Sequence, residues 1–354
     1  MKKRIDLFVR KIPIIICVAL IGAGLVIYPE TAAKGIRNGL TLLGNNLIPS
    51  LFPFAVFSSY ISENAFSEKI AVIIDKPMKK VFKIGGNAVI PFLLGTLGGY
   101  PVGAKTVADF YKSGKLTENE AQRLLFWAVN PSPAFTVTAV GTFMLRNTKC
   151  GLIIYFSSIL ASLTVGFFCR FLSDGKMISG TYRIESNGKN ALVKAVTGGT
   201  EAVLGISGWV LTFSALSSLC DKLALGDSAR LFIKSVLEVT TACETVTSNA
   251  LPLTVIASAI GFGGFAVIFQ TASYCEICSL EIKKLICVRI VLSAFTSLYT
   301  AVLLKIFPQT VETSATINVI GHNFSVYHSI PAAAILMIMC AALILEVDNR
   351  KKVC

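Results

Sequence analysis

The chain has 354 residues, of which 54% are hydrophobic and only 15% charged, and its mean hydropathy is +0.69. A soluble domain carries about a quarter charged residues, so these values exclude a water-soluble globular protein. The formal net charge of +13 does not mark a nucleic-acid partner, because the basic residues fall in short loops between apolar runs and not on a polar domain.

The N-terminus, "MKKRIDLFVRK", is basic and precedes an apolar run over 12–28 that ends in "YPE" without a small-residue cleavage site. It predicts a retained first span with its start in the cytoplasm. Residues 31–46, "TAAKGIRNGLTLLGNN", are amphipathic and read as external or interfacial. A second span over 47–63 returns inward to a stretch bearing Lys69, Lys76, Lys79, Lys80 and Lys83, a cytoplasmic signature.

The next segment, over 86–110, starts and ends beside basic, cytoplasmic loops and is interrupted in its middle by "GGYPVGAK". A segment that enters and leaves from one face is a re-entrant hairpin, with its tip at Gly98, Gly99, Tyr100 and Pro101. Irregular backbone at that depth survives only where protein or a water-filled cavity surrounds it. Residues 124–145 cross outward and contain a second break at Asn130, Pro131, Ser132 and Pro133; residues 150–172 return.

The polar linker 173–194, with Lys176, Arg183, Lys189 and Lys194, lies inside and divides the chain. After it the pattern repeats. "GISGWVLTFSALSSLCDK" (205–222) resembles "SLFPFAVFSSYISE" (50–63), 232–250 takes the place of the first hairpin, and "GFGGFAVIFQTASY" (261–274) lines up with "NPSPAFTVTAVGTF" (130–143). Lys283 and Lys284 mark an inside loop, a span near 285–306 goes out, 327–346 returns, and "NRKK" closes inside. The two series run in opposite directions. The predicted fold class is all-α: a polytopic membrane protein with about eight transmembrane helices and two re-entrant hairpins in an inverted repeat. Both termini are expected in the cytoplasm. The divisions are an anchor over 1–30, repeats over 31–172 and 195–306 joined by the linker, and a last part over 307–354 with an external loop, final helix and basic tail.

In such an architecture the broken helices meet near the midplane and turn their N-termini toward a solute. Gly98, Gly99 and Gly103 allow close approach to backbone N–H groups, and Pro101 sets the turn. Lys105 reads in two ways, as a charge near the cavity mouth or as a lysine snorkelling to the interface beside Asp109. Glu238 and Glu244 flank "VTTAC" in the second hairpin, where with Thr240 and Thr241 they form an unusually polar stretch and are candidates for a coupling proton or ion. Gly263 and Gly264 break the matching span. Gln270, a lone polar residue in an apolar run, is a candidate substrate donor or a helix-packing contact. The two hairpins and two breaks predict one shared site for a small anionic substrate.

No phosphate-binding G-x-x-x-x-G-K-[ST], H-E-x-x-H or G-x-S-x-G motif occurs, and neither enzyme activity nor a cofactor is expected. Cys275 and Cys278 have metal or redox spacing without a second pair, and His322 and His328 are poorly spaced as ligands, so no metal is expected either. The partners implied are the solute and the lipid bilayer, with a homo-oligomer left open.

At "LIPSLFPFAVFSSYISE", "LGTLGGYPVGAKTV", "NPSPAFTVTAVGT" and "GFGGFAVIFQ" the sequence resembles the YlbJ-type sporulation integral membrane proteins, within the wider nucleoside-transporter and ferrous-iron-transporter "Gate" domain family. The resemblance spans roughly residues 10–345. It implies a role in endospore formation, movement of dipicolinic acid toward the forespore, and a place in the cell membrane or outer forespore membrane. It carries the re-entrant motif onto Gly99, Tyr100, Pro101, Gly103 and Lys105, and the second motif onto Asn130, Pro131, Ser132 and Pro133. A nucleoside permease and a non-transporting membrane scaffold are the alternatives.

Overall fold

The computed structural model describes residues 19, 21–62, 66–177, 191–223, 225–248 and 251–309. Residues 12–18 and 20 of the expected first span, residues 178–190 of the linker, the expected last span over 327–346 and both histidines lie outside the described residues. Among the described residues the regular structure is entirely helical.

Helix α1 (Pro29–Leu42) passes through a π-turn (Leu43–Leu47) into α2 (Ile48–Ser62) without a break. Residues 31–46, expected to be external or interfacial, thus form most of a helix. Glycines spaced one turn apart seat it: Gly35 and Gly39 lie against Ser214 and Ser218 of the long helix α8 (Ala191–Leu219), while Gly199 of α8 lies against Val56 of α2. A Cβ on Gly199 would stand 2.6 Å from Val56 Cγ2 and 2.9 Å from its backbone nitrogen. The pairs run antiparallel along both helices. Small residues at the contact let backbones approach, the packing that membrane helices favour.

Helix α3 (Phe66–Phe82) is amphipathic and meets the next apolar helix at a 98° bend. The elbow is polar and closed. Asp75 accepts from Gly86 N at 2.8 Å and from Lys79 at 2.5 Å. Arg123, buried, donates to the carbonyls of Phe82 and Lys83 at 3.2 and 2.7 Å. Glu120, also buried, accepts from Gly85 N at 2.8 Å.

From this elbow α4 (Val89–Gly98) and α5 (Tyr100–Lys112) form a helical hairpin. Its arms touch at Gly95 and Gly103, and a Cβ on either would collide with the Ala128 carbonyl oxygen. That carbonyl follows α6 (Glu118–Trp127), which begins with a capping box in which Thr117 and Glu120 bond each other's backbone N–H. Trp127 is buried between Phe82 and Phe92, with ring centroids 5.1 and 4.9 Å away. Residues 128–132 are irregular and buried, and the chain resumes as a π-helix over Ala134–Met144. Helix α7 (Thr148–Cys169) packs on this π-helix where Gly151 meets Gly141.

The second part follows a similar order. After α8, the helices α9 (Asp227–Leu237) and α10 (Val239–Ser248) pack as a pair with a break at Glu238. Next come α11 (Leu253–Phe262) and α12 (Gly264–Ile277), broken at Gly263 with φ +81°. Helix α13 (Ile282–Ile306) packs on α11 through Ser258–Ser293, 2.8 Å apart, and on α7 through Thr164–Tyr299, 2.7 Å apart.

Among the described residues four helical stretches are long and apolar enough to cross a membrane: Thr148–Leu172, Leu192–Lys222, Leu253–Ala272 and Ile282–Ile306; the bent pair at the elbow makes a fifth if it counts as one span. The crossing expected over 124–145 is divided by its irregular centre. Large apolar side chains such as Phe156, Phe168, Ile290 and Leu298 face outward along α7 and α13, as lipid-facing positions do.

The glycine contacts predict opposite effects for the same substitution. Gly103→Ala forces a methyl into the Ala128 carbonyl and is expected to cost about 3 kcal/mol. Gly205→Ala, in open space on α8, is expected to gain roughly 0.5–1 kcal/mol. Thermal melting of the detergent-solubilised protein measures both.

Candidate functional site

The tip of the first hairpin depends on one residue. Gly99 has φ +97° and ψ −179°, a backbone region that is essentially glycine-only. Pro101 follows in the first turn of α5, where its missing N–H costs nothing. The N–H groups of Tyr100 and Val102 carry no hydrogen bond among the described residues, and no side chain caps this N-terminus.

The tip of the second hairpin is built differently. Glu238 is extended and buried, and its carboxylate accepts from Thr240 N at 2.9 Å, Thr241 N at 2.6 Å and Thr241 Oγ1 at 3.0 Å. The acid thereby caps the helix that follows it. This N-terminus already holds an anion, whereas that of α5 does not.

Both tips border one small cavity of about 50 Å³. Gly98, Gly99, Tyr100 and Pro101 line it from the first hairpin, Glu238, Val239 and Thr240 from the second, Ser132 from the first break, and Gln270 from α12. Leu47, Leu51, Phe135, Val210 and Val267 make its walls apolar. Each tip also rests on a break. A Cβ on Gly99 would be 3.5 Å from that of Ser132, and a Cβ on Gly264 would be 3.1 Å from Val239 N. Tyr100 Oη donates to the carbonyl of Ile260 at 2.7 Å, so the first hairpin satisfies a backbone group of the helix that Gly263 ends.

Of the residues singled out from the sequence, eight line this cavity: Gly98, Gly99, Tyr100, Pro101, Ser132, Glu238, Thr240 and Gln270. The Gln270 carboxamide has no protein partner among the described residues. Gly103 works in the hairpin contact, and Gly263 and Gly264 form the break. Asn130 lies behind the wall, with Nδ2 donating to the Trp127 carbonyl at 2.9 Å and Oδ1 accepting from Ser162. Its polar atoms are committed to holding the irregular segment.

Lys105 is not at the cavity. Its side chain is 47% exposed and pairs with Asp109 at 3.0 Å, because residues four apart share a face on a regular helix and this face points away from the tip. Thr241 and Glu244 line a second space, a polar vestibule of about 750 Å³ between α1, α8 and the second hairpin, with Asn38, Ser217 and the Lys234–Asp221 pair (2.7 Å).

Residues 45–149 match the family model described as "Gate: Nucleoside recognition". The chain is also similar to the sporulation integral membrane protein YlbJ of Bacillus subtilis (strain 168). Identity is 21% over 326 residues, covering 80% of each chain. No solved structure matches. With the apolar helices, this likeness makes the chain an integral membrane protein. The Gate match runs from the start of α2 to the start of α7, and so contains the first hairpin and the first break and neither of the second pair.

Sequence reasoning passed over Arg289, Glu120 and Arg123. The latter two look like an ordinary polar loop, and only the elbow makes them structural. Arg289 carried a usable signal, a lone cation within an apolar run. It is 2% exposed on α13, with its guanidinium carbon 4.9 Å from the Tyr100 ring centroid.

Replacing Glu238 tests its capping part. Glu238→Ala is expected to cost about 1–2 kcal/mol, in line with the loss of a helix cap, and Glu238→Gln less, since its amide oxygen still accepts. Thermal unfolding of both variants in detergent ranks them.

Proposed function

We propose that the chain is a secondary transporter that moves a small organic anion across the membrane through the cavity between its two hairpin tips. The convergence of two hairpin tips and the first helix break on one cavity, with the second break packed against the second tip, carries this reading. Irregular backbone of this kind is tolerated in a bilayer only when buried in protein or lining a wet space, and all four breaks meet that condition.

On this reading the two series of elements form an inverted repeat. The first hairpin is rooted beside Lys76, Lys79, Lys80, Lys112 and Lys115, on the cytoplasmic face. The second is rooted at the far end of α8, away from the basic linker, and enters from the opposite face. The vestibule opens on that side. The cavity, about 50 Å³, is far smaller than the roughly 300–1,000 Å³ of a small-molecule site, so on this reading the tips part to admit a solute.

The uncapped N-terminus of α5 suits an anion, and Ser132 and Gln270 add hydrogen-bonding groups to an otherwise apolar slot. A flat heteroaromatic dicarboxylate such as dipicolinic acid fits that description. The relative's name as a sporulation integral membrane protein supports a membrane role in spore formation, and on this reading the chain acts in the cell membrane or outer forespore membrane. A nucleoside is the second reading, favoured by the description of the matching family.

Uptake into proteoliposomes separates these readings. Saturable movement of labelled dipicolinate in excess over uridine is expected. Gln270→Leu should weaken it about tenfold, the loss of one hydrogen bond to a charged group. Preference for uridine supports the nucleoside reading, and movement of neither solute leaves a non-transporting scaffold.

A further inference from the structure

Arg289 is buried in the apolar middle of the chain. Among the described residues its guanidinium has no carboxylate partner, and its Nε and Nη2 are buried without a hydrogen-bond partner. Only Nη1 is engaged, in a long 3.5 Å bond to the Gly261 carbonyl. An uncompensated buried cation costs several kcal/mol.

A purely structural part accounts for little of this arrangement. The positive charge does favour the C-terminal end of α11, and the ring of Tyr100 offers a cation–π contact. One donor out of five meets a carbonyl, however, and a residue with a single donor would serve that carbonyl as well. The two idle nitrogens form the side edge of the guanidinium. That edge presents two parallel N–H groups whose spacing matches the oxygens of a carboxylate.

Tyr100 connects this edge to the cavity. The same side chain lines the cavity, carries the guanidinium over its ring and is latched by its hydroxyl to Ile260. Any solute of organic size requires the tips to part, and Tyr100 sits on one of those tips. We infer that the Nε–Nη2 edge of Arg289 is the carboxylate-binding fork of the transport site, uncovered when the Tyr100 ring leaves its latch. The inference rests on the organic-anion reading above and supplies the buried charge that Lys105 does not.

The test uses the full-length protein in detergent, with pyridine-2,6-dicarboxylate and its dimethyl ester as probes and titration calorimetry as the readout. Arg289→Gln removes the fork. Arg289→Lys keeps a positive charge over the ring and within reach of Gly261 but offers a point donor in place of two parallel ones. Melting curves establish that each variant is folded, and if Arg289→Gln is not, Arg289→Lys decides. The dicarboxylate is expected to bind the wild type, to lose at least tenfold in affinity with Arg289→Lys and about a hundredfold with Arg289→Gln, and to outcompete the ester only in the wild type. Wild-type binding of the dicarboxylate with unchanged affinity in folded Arg289→Lys overturns the fork and leaves the transport reading standing. A wild type that binds no dicarboxylate overturns both.

Discussion

A backbone amide in hydrocarbon has no water to bond, and every interruption of a membrane helix therefore needs a partner from elsewhere in the protein. The described residues meet this demand at each break by a different route. At Glu238 the side chain bonds the N–H groups of its own following helix. At Gly263 the hydroxyl of Tyr100 reaches the carbonyl of Ile260 from another hairpin. At the first break Asn130 bonds back to Trp127 and is held in turn by Ser162 of α7. The N-terminus of α5 keeps uncommitted N–H groups at Tyr100 and Val102, and it borders the cavity.

Close packing provides the rigidity that these breaks remove. The Ala128 carbonyl is wedged between Gly95 and Gly103, so the first hairpin and the irregular segment fit together as one body. Below it Glu120 and Arg123 clamp the elbow from inside, bonding Gly85 and the carbonyls of Phe82 and Lys83. Two buried charges in one short helix would be costly in isolation. Here each is spent on backbone groups that the 98° bend leaves without helical partners, which explains why so polar a turn lies under an apolar hairpin.

The breaks were legible in the sequence because glycine and proline act through backbone rules that need no tertiary context. "GGYP" announces an interruption, and Gly99 takes a conformation closed to other residues. Gln270 stands out as a lone polar residue in an apolar run and Thr240 as part of an unusually polar stretch, and both border the cavity. What was not legible depends on facing. Nothing local tells which side of α5 looks inward, so the sequence leaves Lys105 with two readings, and the structure pairs it with its i+4 neighbour Asp109. Asn130 belongs to the break over 130–133 and so reads as a binding group, yet its bonds are spent on Trp127 and Ser162. Residues 31–46 looked interfacial because they are amphipathic. The apolar face of α1 meets α8 through Gly35 and Gly39, and the polar face lines the vestibule.

The two spaces are separated by a single helix. Helix α10 turns Thr240 toward the small cavity and Thr241 and Glu244 toward the vestibule. Its first turn is stapled by Glu238, so those N–H groups stay satisfied while the helix remains intact. The first hairpin is anchored more deeply, through the Ala128 wedge and the charged elbow. Of the two tips, the second has fewer such restraints among the described residues, and the chain's asymmetry lies there: one hairpin locked to its broken neighbour, the other bordering a small cavity on one side and a large polar vestibule on the other.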